Sequence, residues 1–116
     1  MDVSAVPAPP DTFNFARHLL EANAGRAMKA AFIDDVGALT FGSLDERARR
    51  LAAALRDAGV KREERVLILM QDCNDWPVTF LGAMLAGVLP VAVNTLMTAD
   101  DLAYMLEHSR LSLIHI

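Results

Sequence analysis

The chain has 116 residues, 53% of them hydrophobic and 22% charged, with a formal net charge of -4. This acidic balance supplies no basic patch for nucleic acid and no polybasic segment for an anionic membrane, and a single cysteine, Cys73, rules out an internal disulfide and suits a reducing cytoplasm. A mean hydropathy of +0.27, in a chain shorter than the about 150 residues of an ordinary domain, describes a sequence with more apolar surface than its own elements can cover.

Residues 1–12 lack the basic and apolar stretches of a targeting segment, and Pro7, Pro9 and Pro10 oppose regular structure, so they are expected to form a disordered leader. Phe15, His18, Leu19 and Ala22 then recur at helical spacing behind Asn14, a good N-cap residue, which predicts a helix over Phe15 to Ala24. Two short β-rich runs, "AAFIDD" and "GALTF", flank Asp34-Asp35-Val36-Gly37, whose acids and glycine supply turn chemistry for a hairpin.

"SLDERARRLAAALRDAG" carries the strongest helical pattern. Ser43 and Glu46 form an S-x-x-E capping box, Leu44, Ala48, Leu51, Ala52 and Leu55 make one apolar stripe, and Gly59 stands where a left-handed residue ends a helix. Arg47, Arg49, Arg50 and Arg56 interleave with Asp45, Glu46 and Asp57, the pattern of a solvated face.

The uninterrupted apolar run "VLILM" predicts a strand covered on both faces, as in a parallel sheet. "WPVTFLGAMLAG" is apolar almost all round and predicts a buried helix, with Gly82, Ala83 and Ala86 small enough for close approach to a neighbour. Gly87 ends that helix, "VLPVAVN" is expected to be a second buried strand, and strand, helix and strand form one βαβ unit. The uncharged stretch from Val78 to Val93 is shorter than the about 20 residues of a membrane-spanning helix and contains Pro90. A last helix starts at Thr98 as N-cap, with Leu102, Met105 and Leu106 expected to face inward, and "LSLIHI" takes the place of a further strand.

Single residues add no site. His18 and His108 lack a second ligand at metal spacing, Cys73 sits between Asp72, Asn74 and Asp75, which disfavours a thiolate nucleophile, and Asp100-Asp101 is what a helix N-terminus attracts. Trp76 and Pro77 read as the start of the buried helix. The expectation is therefore no catalytic, cofactor-binding or metal-binding residue within these 116.

A family resemblance rests on ordered motifs: Thr40-Phe41 with Leu44, Leu55 with Gly59-Val60, Glu64-Arg65-Val66, Phe80-Leu81-Gly82-Ala83 with Ala86-Gly87, Leu89-Pro90-Val91 with Asn94, and Thr98 with Asp101-Leu102, Tyr104 and Leu106. In that order and spacing they resemble the N-terminal part of the AMP-forming acyl- and aryl-CoA ligases, over about residues 13 to 110. The stretch "VNTLMTADD" looks most like the benzoate-CoA ligase branch and its hydroxybenzoate relatives. The fold implied is α/β, an incomplete N-terminal portion of the large adenylate-forming domain: a hairpin plus a βαβ unit of a mainly parallel sheet with covering helices.

The resemblance implies ATP, Mg2+ and CoA as requirements of the complete enzyme, an aromatic carboxylic acid as substrate, a homodimer as a compatible assembly and a cytoplasmic location. The family's phosphate-binding Gly/Ser/Thr loop, its ribose-binding aspartate and its C-terminal lysine have no counterpart here. Gly25, Gly37, Gly42, Gly59, Gly82 and Gly87 never cluster, and Lys29 and Lys61 are the only lysines. The chain alone is thus expected to be inactive and to bind none of those ligands. Residues 111–116 depart from the family's Ala/Val-rich strand and match the translation of a transposon-end sequencing adaptor, so they are expected to be a non-native tail. Two other readings stay open at the level of sequence: a stand-alone, non-catalytic α/β interaction module, and a fragment of another acyl branch.

Overall fold

The computed structural model describes residues 5–115. Residues 1–4 of the expected leader and residue 116 of the expected tail lie outside them. Residues 7–12 contain no helix or strand.

Helix α1, Phe15–Ala22, begins at Asn14, whose side chain accepts the Arg17 N–H. It ends two residues before the predicted limit, because the Asn23 amide donates to the Leu19 carbonyl at 2.8 Å and a 3-10 turn, Ala24–Arg26, follows. The buried stripe is Ala16 and Leu20, with Leu19 half-buried, while Phe15, His18 and Ala22 are exposed. Asn14 Nδ2 donates to the Met84 carbonyl at 2.8 Å and orients the helix start, a tether between residues far apart in sequence.

Strands β1 (Ala30–Ile33) and β2 (Ala38–Thr40) pair antiparallel, as the hairpin reading requires. Asp34 Oδ1 accepts the N–H groups of Val36 and Gly37, which closes the turn.

Helix α2 runs Phe41–Asp57, and its N-cap is Thr40, not Ser43. Thr40 Oγ1 accepts the Ser43 N–H at 3.2 Å. The earlier start is possible because two first-turn amides, which helical geometry leaves without partners, find remote ones. Phe41 N–H donates to Lys29 O and Gly42 N–H to Ala27 O, both at 2.9 Å. Gly42 eases this approach, since a Cβ would lie 3.1 Å from the Ala27 oxygen, a tight contact. At the other end Gly59 has φ +85 and supplies the left-handed residue just past the helix. Leu44, Ala48, Ala52 and Leu55 of the predicted stripe are buried, and its fifth member, Leu51, is half-buried.

Strand β3 (Arg65–Ile68), helix α3 (Asp75–Leu85) and strand β4 (Leu89–Ala92) form the βαβ unit, with β3 and β4 parallel. Val66, Leu67 and Ile68 are almost fully buried, so β3 is the covered central strand. Helix α3 packs mainly against α2, and Gly82 allows the approach: a Cβ there would lie 2.9 Å from Leu51 Cδ2 and 3.0 Å from Ala48 O. One cluster joins α1, α2 and α3 through Ala16, Leu20, Leu44, Ala48, Val78 and Leu81. A second joins Leu55, Val66, Ala83 and Val88.

Two expectations of burial fail for the same reason. Strand β4 is an edge strand, not a buried one, and Leu89 is 46% exposed. Helix α4 (Ala99–Ser109) is capped by Thr98 as predicted, yet Leu102 and Met105 are only half-buried and Leu106 is exposed. Nothing among the described residues lies beyond β4 or over that side of α4 to cover them. Strand β5 (Leu113–His115) pairs parallel with β3 on the side away from β4, giving the order β4-β3-β5.

Candidate functional site

The carboxyl ends of parallel strands are where open α/β sheets place ligands, because the connections to the helices diverge there and leave a crevice. Two clefts flank the loop that leaves β3. One, of about 520 Å³, is lined by Met70, Gln71 and Asp72 from the β3–α3 connection, by Trp76 in the first turn of α3 and by Ala92 to Leu96 at and beyond the end of β4. The other, of about 340 Å³, lies between this loop and the hairpin and is lined by Phe32 to Asp35, Asp72 to Asn74, Trp76 and Pro77. Asp72 and Trp76 belong to both.

Asp34 organises the boundary. Oδ1 closes its own turn, and Oδ2 accepts the Asn74 N–H at 2.8 Å. Asn74 Nδ2 donates back to the Gly37 carbonyl at 2.9 Å, while Asn74 Oδ1 is buried without a partner. The Asn74 N–H does most to hold the Asp34 carboxyl below its ordinary value of 3.8, with the Val36 and Gly37 N–H groups adding to it and desolvation opposing. Asp75 opens α3 and pairs with Arg47 of α2, an ion pair between partly exposed groups. Trp76 stacks on Phe80 with ring centroids 5.0 Å apart, which fixes the indole at the cleft wall. Across the cleft Asn94 Oδ1 accepts the Leu96 N–H at 2.9 Å and holds the turn into α4.

These groups shape the walls of the two clefts. Among the described residues no three His, Cys, Asp or Glu side chains converge on a metal position. The glycines among the described residues, at positions 25, 37, 42, 59, 82 and 87, are spread along the chain and form no glycine-rich loop. His18 packs against Phe13 and His108 stacks on Tyr104, and both are exposed. Cys73 is half-buried in the smaller cleft. Among the described residues no helix is long and apolar enough to cross a membrane. The links through Asp34 and Asn14 were missed by the sequence reading, which assigned each only its local turn or cap. Nothing in the local pattern announces a partner 40 or 70 residues away.

Comparison with known proteins supplies what the clefts do not. The AMP-binding enzyme family matches residues 19–116. Over 103 residues the chain is 44% identical to a benzoate-CoA ligase of Thauera aromatica, a match covering 86% of this chain and 20% of that protein. A 4-hydroxybenzoate-CoA/benzoate-CoA ligase of Rhodopseudomonas palustris is 38% identical over 104 residues, 88% of this chain and 19% of its own length. The crystal structure of a benzoate CoA ligase from Burkholderia xenovorans LB400 superposes with a TM-score of 0.86 at 53% identity, covering 89% of this chain and 21% of that one. The chain therefore spans about a fifth of the length of the relatives it matches. The hairpin, the parallel sheet and their helices correspond to the N-terminal part of the adenylate-forming domain. With nearly all of its length matched and its fold shared, the chain belongs to the AMP-binding, adenylate-forming enzyme family.

Proposed function

We propose that the chain is part of an aromatic-acid CoA ligase of the cytoplasm, acting on benzoate or a hydroxybenzoate. The observation that carries this reading is its identity to benzoate-CoA ligases, 44% over 103 residues in one and 53% over 89% of this chain in another. In such a reaction a carboxylate oxygen of the acid attacks the α-phosphorus of ATP, pyrophosphate leaves, and an aryl-adenylate forms. The CoA sulfur then attacks the acyl carbonyl carbon and AMP leaves. The charge carried by the phosphoryl oxygens in the transition state requires oriented N–H donors and cations; in this reading other parts of the enzyme supply those groups, and this region holds the sheet and the walls of the crevice.

The test is AMP formation by the complete gene product containing these residues, supplied with ATP, Mg2+ and CoA. Benzoate or a hydroxybenzoate should support CoA-dependent AMP release, and the 116-residue chain alone should give none. Preference for a long-chain fatty acid would overturn the aromatic reading, and no AMP with any carboxylate would overturn the ligase reading.

A further inference from the structure

We draw no further inference here: the strongest candidate, the cleft between the β1–β2 hairpin and the start of α3, offers only Asp34, Asp35, Asp72 and the lone Cys73 at a helix N-terminus, and the unpaired Oδ1 of Asn74 beside them is itself closed to solvent, so nothing there points to a ligand.

Discussion

Asp34 does two jobs with one carboxylate, closing a hairpin turn and receiving the Asn74 N–H from the loop before α3. Because its folded pKa is depressed, the stability it adds is present above the ordinary value of 3.8 and is lost as pH falls through the lower folded value. In the full-length protein, Asp34→Ala should lower the thermal midpoint at neutral pH, and the gap from wild type should close as the buffer is taken below pH 3.8. A gap that persists unchanged in acid would show that the charged carboxylate is not the source. Thr40 offers a second test at this scale. Thr40→Ala should cost about 1 kcal/mol as the loss of a helix N-cap, whereas Ser43→Ala, on a side chain already inside α2, should cost less than about 0.5 kcal/mol. Urea unfolding of the two variants distinguishes the observed cap from the capping box suggested by the local sequence. The reverse order would return the helix start to Ser43.

Between elements, the α2–α3 contact sets the architecture, and it depends on a missing side chain. Gly82→Ala would place a methyl 2.9 Å from Leu51 Cδ2 and 3.0 Å from a backbone oxygen that cannot move independently. Overpacking of that kind costs about 1–3 kcal/mol. Gly25→Ala is the control: nothing lies within 4 Å of its Cβ position, so removing unfolded-state freedom should leave stability unchanged or raise it by up to about 1 kcal/mol. Chemical denaturation of both variants checks the pair, and equal effects would mean that the helices do not meet at Gly82. The Arg47–Asp75 ion pair also spans these helices. Its groups are 43% and 62% exposed, so water screens it and shape, not charge, dominates the contact. Much of this layer was legible in advance. The all-apolar pattern of "VLILM" and the small residues of α3 reflect burial on two sides, and burial on two sides makes a central strand and a close helix contact.

For the whole molecule, the decisive quantity is surface left uncovered. The accessible area is 8101 Å², against about 6,200 Å² for a typical folded monomer of this mass. The radius of gyration is 15.6 Å, against about 13 Å for a compact domain of this length. Part of the excess comes from the exposed residues 5–13 before α1. The rest includes the open β4 edge with Leu89, the exposed Ile114 of β5, Tyr104 and Leu106 of α4, and Ile33 at the hairpin. Unpaired edges with apolar side chains promote association. Expressed alone, the chain should bind the dye ANS, unfold without a sharp transition and self-associate at micromolar concentration. A monomer in analytical ultracentrifugation with cooperative unfolding would show that the surface is tolerated and that the region folds independently.

The sequence by itself determined the hairpin, the long helix α2, the βαβ unit, the cap of α4 and the family, because each is written in short-range terms: apolar periodicity, turn residues and motif order within a few positions. Only the tertiary structure decided that α2 begins at Thr40, that α1 turns Ala16 and Leu20 inward, that Asp34 reaches Asn74, and that β4 and α4 remain half-covered. Carbonyls from Ala27 and Lys29 satisfy amides that would otherwise need a local cap, and the Met84 carbonyl orients α1 from the far end of another helix. Whether an apolar strand or helix is buried depends on what stands on its other side, and that neighbour is a property of the assembled fold, not of the segment that needs it.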